Sequence, residues 1–135
     1  MGAATYEVKA NINVELTKED IEDIMVCALE QGIGYWACLD NTGDAYTYAP
    51  EGEPVSITCV KGLLAGKDVR FEDTEDESEY ILNLDKFLNG FRLWIENGED
   101  KYGAVNGGKV DTSQIDADMA DLIVQYAIFG EVVFG

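Results

Sequence analysis

Apolar and polar residues alternate without a break from residue 6 to residue 16. Tyr6, Val8, Ala10, Ile12, Val14 and Leu16 fall on one side, and Glu7, Lys9, Asn11, Asn13 and Glu15 on the other. A repeat of two is that of a strand with one wet face, so a long strand is expected here. The period then changes. Thr17 offers a hydroxyl N-cap, Asp20 stands three positions on as in a capping box, and Ile21, Ile24, Met25, Ala28 and Leu29 recur at helical spacing before Gly32. That spacing predicts a helix of about four turns.

Residues 33–39, IGYWACL, read as a short buried strand, and residues 40–54 as a loop broken by Gly43, Pro50, Gly52 and Pro54. In residues 55–65 the β-branched side chains argue for strand. Val55, Cys59 and Leu63 at a spacing of four, with Gly66 as a stop, argue for a short helix, which is the expectation. Alternation returns over residues 68–73 and 78–84, predicting two strands of a hairpin whose tip is the acidic run EDTEDESE, residues 72–79.

Phe87, Leu88, Phe91, Trp94 and Ile95 then mark a helix ending at Gly98. After a glycine-rich loop, Ser113 with Asp116 is expected to cap a last helix with the stripe Ile115, Met119, Leu122, Ile123 and Tyr126, closed by Gly130. The apolar tail 131–134 is expected to be an edge strand, paired with the first strand or with a second copy in a homodimer. Strands in hairpin order mixed with helices predict one α+β domain spanning residues 1–135. A small antiparallel sheet would carry three main helices on one face. The core is expected to include Ile24, Met25, Leu29, Leu88, Phe91, Trp94, Leu122, Ile123 and Tyr126.

Composition changes the picture chiefly through charge. With 47% hydrophobic residues, seven Tyr, five Phe and two Trp, the chain has enough apolar mass for a core, yet nine Lys and Arg face 27 Asp and Glu, a formal net charge of −18. Such a field repels nucleic acid and anionic lipid and favours a basic partner. Three cysteines without CxxC spacing argue against a disulfide framework and for free thiols in a reducing cytoplasm. No run of residues is apolar enough to suggest a membrane span or a secretory leader.

Candidate chemistry is sparse. Histidine is absent, which removes the commonest general base and the usual partner of a nucleophilic serine or cysteine. Three cysteines fall short of a four-thiolate zinc site. The oxygen-rich stretch 40–51 places Asp40, Thr42, Asp44 and Glu51 at calcium-loop positions, but Ala45 stands where the sharp turn wants glycine. VNGGK, residues 105–109, lacks the GxxxxGK(S/T) spacing and reads as a turn. The expectation is therefore no enzyme, no metal and no cofactor.

What remains is the acidic hairpin. Six of eight residues in EDTEDESE are carboxylates. Extended, they fall about 4 Å apart, against roughly 3.4 Å between phosphates of a DNA strand. Glu72, Asp73, Glu75, Asp76, Glu77 and Glu79 are accordingly expected to bind a basic partner as a nucleic-acid mimic, with Asp44, Tyr46 and Tyr48 of the polar loop 40–54 as further interface candidates. The plainer reading is a solvated coat. A pocket for a nucleotide signal formed by Tyr35, Trp36, Tyr102 and the loop 103–108 is the alternative from another class.

The strings LTKEDIEDIMVCALEQGIGYW, LDKFLNGFRLWIENG, YGAVNGGKVDTSQIDADMADLIVQ and IVQYAIFGEVVFG resemble a group of small acidic proteins carried by prophages and conjugative elements of Gram-positive gut bacteria. The resemblance implies a mobile-element accessory protein acting in the host cytoplasm. That class includes inhibitors of host defence nucleases of the anti-CRISPR and anti-restriction type, whose partner would be a basic, nucleic-acid-binding host protein.

Overall fold

The computed structural model describes residues 13–48 and 53–135. The strand expected over 6–16 lies mostly outside these residues. Its described end is not a strand: Val14 and Leu16 pack half-buried on the core, and the Glu15 amide donates to Gly108 O at 2.7 Å. Helix α1, Lys18–Cys27, begins at the expected box, the Thr17 and Asp20 side chains each accepting from the other's amide at 3.0 Å. It continues as a π-helical turn, Ala28–Gly32. Strand β1, Ala37–Leu39, and helix α2, Val55–Leu64, follow, so helical spacing prevails over β-branching at α2.

The hairpin forms as expected from β2, Val69–Asp73, and β3, Glu79–Leu82. β2 is central in an antiparallel sheet of order β1-β2-β3, with Leu39 opposite Phe71 and Val69 opposite Leu82. Val69, Phe71 and Leu82 are fully buried, which fixes the register, because a slip by one residue would turn them to solvent. Helix α3, Leu84–Glu96, is capped by Asn83 and crosses α4, Ala117–Phe129. The crossing is close at Gly90, where a Cβ would come within 2.6 Å of Ala127.

Several expectations are corrected. The turn expected at residues 105–109 forms, but the loop around it is a second, two-stranded hairpin, β4 (Val105–Asn106) and β5 (Lys109–Val110); Gly107 and Gly108, at φ 62 and 83, supply the left-handed pair that such a turn demands. The cap of α4 is Asp116, whose carboxylate accepts from the Met119 amide, while Ser113 lies in a preceding 3₁₀ turn, Thr112–Gln114, bonded to Asp111. Leu88 is 41% exposed, sharing its face of α3 with the exposed Asp85 and Arg92. Leu122 is half-buried beside exposed Asp118, and Leu29 is half-buried too. Of the cysteines only Cys59 is buried, where burial pushes its thiol up to about 11; Cys38 is exposed.

The tail is not a strand. Val133 N and Phe134 N both donate to Gln125 Oε1 at 2.8 Å, and Gln125 Nε2 donates to Phe134 O at 3.1 Å. A buried side-chain amide thus takes the place of a neighbouring strand. Phe134 lies flat on Trp36, the ring centroids 4.9 Å apart.

Candidate functional site

The acidic turn is built around one of its own carboxylates. Asp73 Oδ1 accepts from the amides of Glu75 and Asp76, at 2.8 and 3.3 Å, and Oδ2 accepts from the Tyr80 hydroxyl at 2.8 Å. These donors, the Glu75 amide foremost and then the Tyr80 hydroxyl, hold the Asp73 carboxyl below its ordinary value. The same bond, aided by burial, pushes the Tyr80 hydroxyl up to about 12. Asp73 is buried, so it shapes the turn and is not offered to a partner. Asp76 Oδ1 accepts from the Ser78 amide at 3.0 Å, and Glu77 takes a left-handed φ of 62. A non-glycine residue held there is a strained position of the kind that clusters at binding sites.

Glu75, Asp76, Glu77 and Glu79 are exposed and Glu72 is half-buried. Arg70 approaches Glu79 at 3.5 Å; among the described residues no lysine or arginine pairs with Glu75, Asp76 or Glu77. The turn is therefore a fixed loop with uncompensated negative charge at its tip. Asp44, Tyr46 and Tyr48 do not join it. Their loop is bonded to the start of β2, Ala45 N to Asp68 O and Asp40 N to Arg70 O, at the end of the strand opposite the turn. Tyr46 packs half-buried on the core, while Asp44 and Tyr48 are exposed. The hairpin tip and the Tyr46 loop are thus two separate surfaces.

Below the turn lies a polar cluster that sequence reading missed. Asp121 is buried within α4 and accepts from Tyr35 Oη at 2.5 Å, Trp36 Nε1 at 2.8 Å and Gln125 Nε2 at 3.0 Å. Its carboxylate is satisfied by neutral donors and not by a cation, so Asp121 adds structure and not surface charge. Burial of its polar end, together with the bond to Asp121, pushes the Tyr35 hydroxyl up to about 12 even though much of the ring faces solvent. The available signal was Asp121 and Gln125 at a spacing of four inside the apolar run MADLIVQYAIF, where a polar pair must find partners.

Tyr35 and Trp36 line one hollow, next to the acidic turn and the tail, whereas Gly107 and Gly108 line a different groove between α3 and residues 13–16. Tyr102 lies in the exposed turn before β4, so the nucleotide pocket suggested by the sequence is not assembled. Among the described residues no group of three or more Cys, Asp or Glu is arranged to hold a metal ion, and no helix is long and apolar enough to cross a membrane. Comparison of the chain with protein-family models, curated proteins and solved structures found no match.

Proposed function

We propose that the protein is a non-catalytic binding protein that occupies a basic surface of a partner, in the manner of a nucleic-acid mimic, with the acidic turn as its leading contact. The observation that carries this reading is a turn stapled by Asp73 that presents Glu75, Asp76 and Glu77 to solvent with no basic side chain among the described residues paired to them. Coulomb repulsion opposes such a cluster, and an external cation relieves it. A partner that ordinarily holds a phosphate backbone supplies cations at matching intervals. A host defence nuclease fits that description and agrees with the mobile-element resemblance.

The test compares the wild-type chain with a variant carrying Glu75→Gln, Asp76→Asn, Glu77→Gln and Glu79→Gln, each immobilised and exposed to bacterial lysate at low salt. The Asp76→Asn exchange keeps a side-chain oxygen as acceptor for the Ser78 N–H, so the fold is expected to persist. Proteins retained by the wild type should elute as salt rises, be displaced by duplex DNA or RNA, and be lost from the variant. With a purified partner, the loss should fall mainly on the association rate, with a shallower salt dependence. Equal retention by the two chains would sink the hairpin as the contact.

A further inference from the structure

We infer that the hollow between the acidic turn and the tail receives the guanidinium of an arginine side chain of the basic partner, an assignment that rests on the reading of the hairpin just given. The hollow measures about 500 Å³; Tyr35, Trp36, Tyr80 and Phe134 contribute its aromatic wall, and Glu75 and Asp76 its acidic side. That size is sufficient for a side-chain head with part of its stem, within the range of about 300–1,000 Å³ usual for ligand sites.

The selectivity comes from Tyr35. An exposed tyrosine ordinarily turns its hydroxyl to water and lets the ring follow. Here the residue is 54% exposed, yet the hydroxyl is anchored inward on buried Asp121 at 2.5 Å. The ring is thereby held at the mouth of the hollow. The backbone ties it to the turn as well, since Thr74 N donates to Trp36 O at 3.0 Å and Thr74 Oγ1 to Tyr35 O at 3.3 Å. The aromatic surface and the carboxylates form one preorganised unit.

The other rings are already engaged. Trp36 is stacked on Phe134, and Tyr80 meets Phe129 edge-on at 4.9 Å. Tyr35 is the most open of the wall aromatics, since Tyr80 and Phe134 are half-buried and Trp36 is buried. Carboxylates alone attract any cation, whereas a fixed aromatic surface beside them favours a planar, weakly hydrated one that can stack and bond a carboxylate through its edge. An ammonium is compact and holds its water more tightly, so arginine is favoured over lysine.

Two peptides of equal length and charge, one alternating arginine with glycine and the other lysine with glycine, serve as probes for the full chain at constant salt. Binding is read from the amide NMR shifts of Thr74, Glu75 and Asp76. The arginine peptide should bind about three- to tenfold more tightly. Tyr35→Leu should bring it down to the lysine peptide's affinity and leave the latter unchanged, while Tyr35→Phe, which keeps the ring but loses its anchor on Asp121, should retain a reduced part of the preference. Equal affinities in the wild type, or an equal loss of both peptides in Tyr35→Leu, would overturn the assignment. Glu75→Gln with Asp76→Asn should weaken both peptides. If it does so while arginine and lysine bind alike, the hairpin reading survives and only the arginine site falls; if it weakens neither, both fall together.

Discussion

At the scale of single residues, the two tyrosines beside the turn make the molecule sensitive to alkali. Tyr35 and Tyr80 are each raised from 10.0 to about 12, the first chiefly by burial of its polar end and the second chiefly by its bond to Asp73. Between those values the folded chain keeps both protons while the unfolded chain releases them. The stabilisation is fully present below pH 10 and is lost as pH rises through about 12. The urea midpoint should therefore fall across that window. Tyr35→Phe should fall less steeply and the double variant with Tyr80→Phe less steeply still. A slope identical to that of the wild type in the double variant would show that other groups govern alkaline unfolding.

At the scale of elements, the α3–α4 crossing carries the plainest test. A Cβ on Gly90 would lie 2.4 Å from Ala127 N and 2.5 Å from its Cα, backbone that cannot yield without moving the helix. Gly90→Ala gains about 1 kcal/mol of helix propensity but forces the helices apart, a strain of about 1–3 kcal/mol, so a net loss is expected. Gly34→Ala, where a Cβ meets nothing within 4 Å, is the control and should not lower the urea midpoint. These elements also show what the sequence could convey. The capping box at Thr17 and Asp20, the hairpin alternation around Phe71 and the left-handed stop at Gly130 are local signals, and the fold keeps them. The burial of Asp121, the docking of the tail on Gln125 and the separation of Tyr46 from the turn depend on contacts between distant segments. Periodicity is silent about those. Leu88 and Leu122 illustrate the same limit, because a stripe marks an apolar face without saying how far the neighbouring elements cover it.

At the scale of the whole molecule, a net charge of −18 should make stability rise with salt. Added ions screen repulsion among the exposed acids, and the exposed ion pairs, such as Arg92 with Glu96, contribute too little to reverse the trend. If screening is worth about 1 kcal/mol, the melting temperature should climb by roughly 3–6 °C from low salt to molar salt. A fall would mean that the ion pairs outweigh the repulsion. On the proposed reading, the same salt that stabilises the chain should release a basic partner, so fold and binding would respond in opposite directions.

The acidic residues follow a division by length. Asp20, Asp40, Asp73, Asp76, Asp100, Asp111 and Asp116 each accept a nearby backbone amide, closing a turn or a helix start. No described glutamate does so, because one extra methylene carries the carboxylate past the local backbone. Folding instructions are thus written in aspartate, while glutamate carries surface field alone; Asp76 serves both. A chain whose free glutamates were all exchanged for glutamine, or even lysine, would keep its architectural alphabet intact, so that its outward polarity could be rewritten by design or by drift while the scaffold stayed the same.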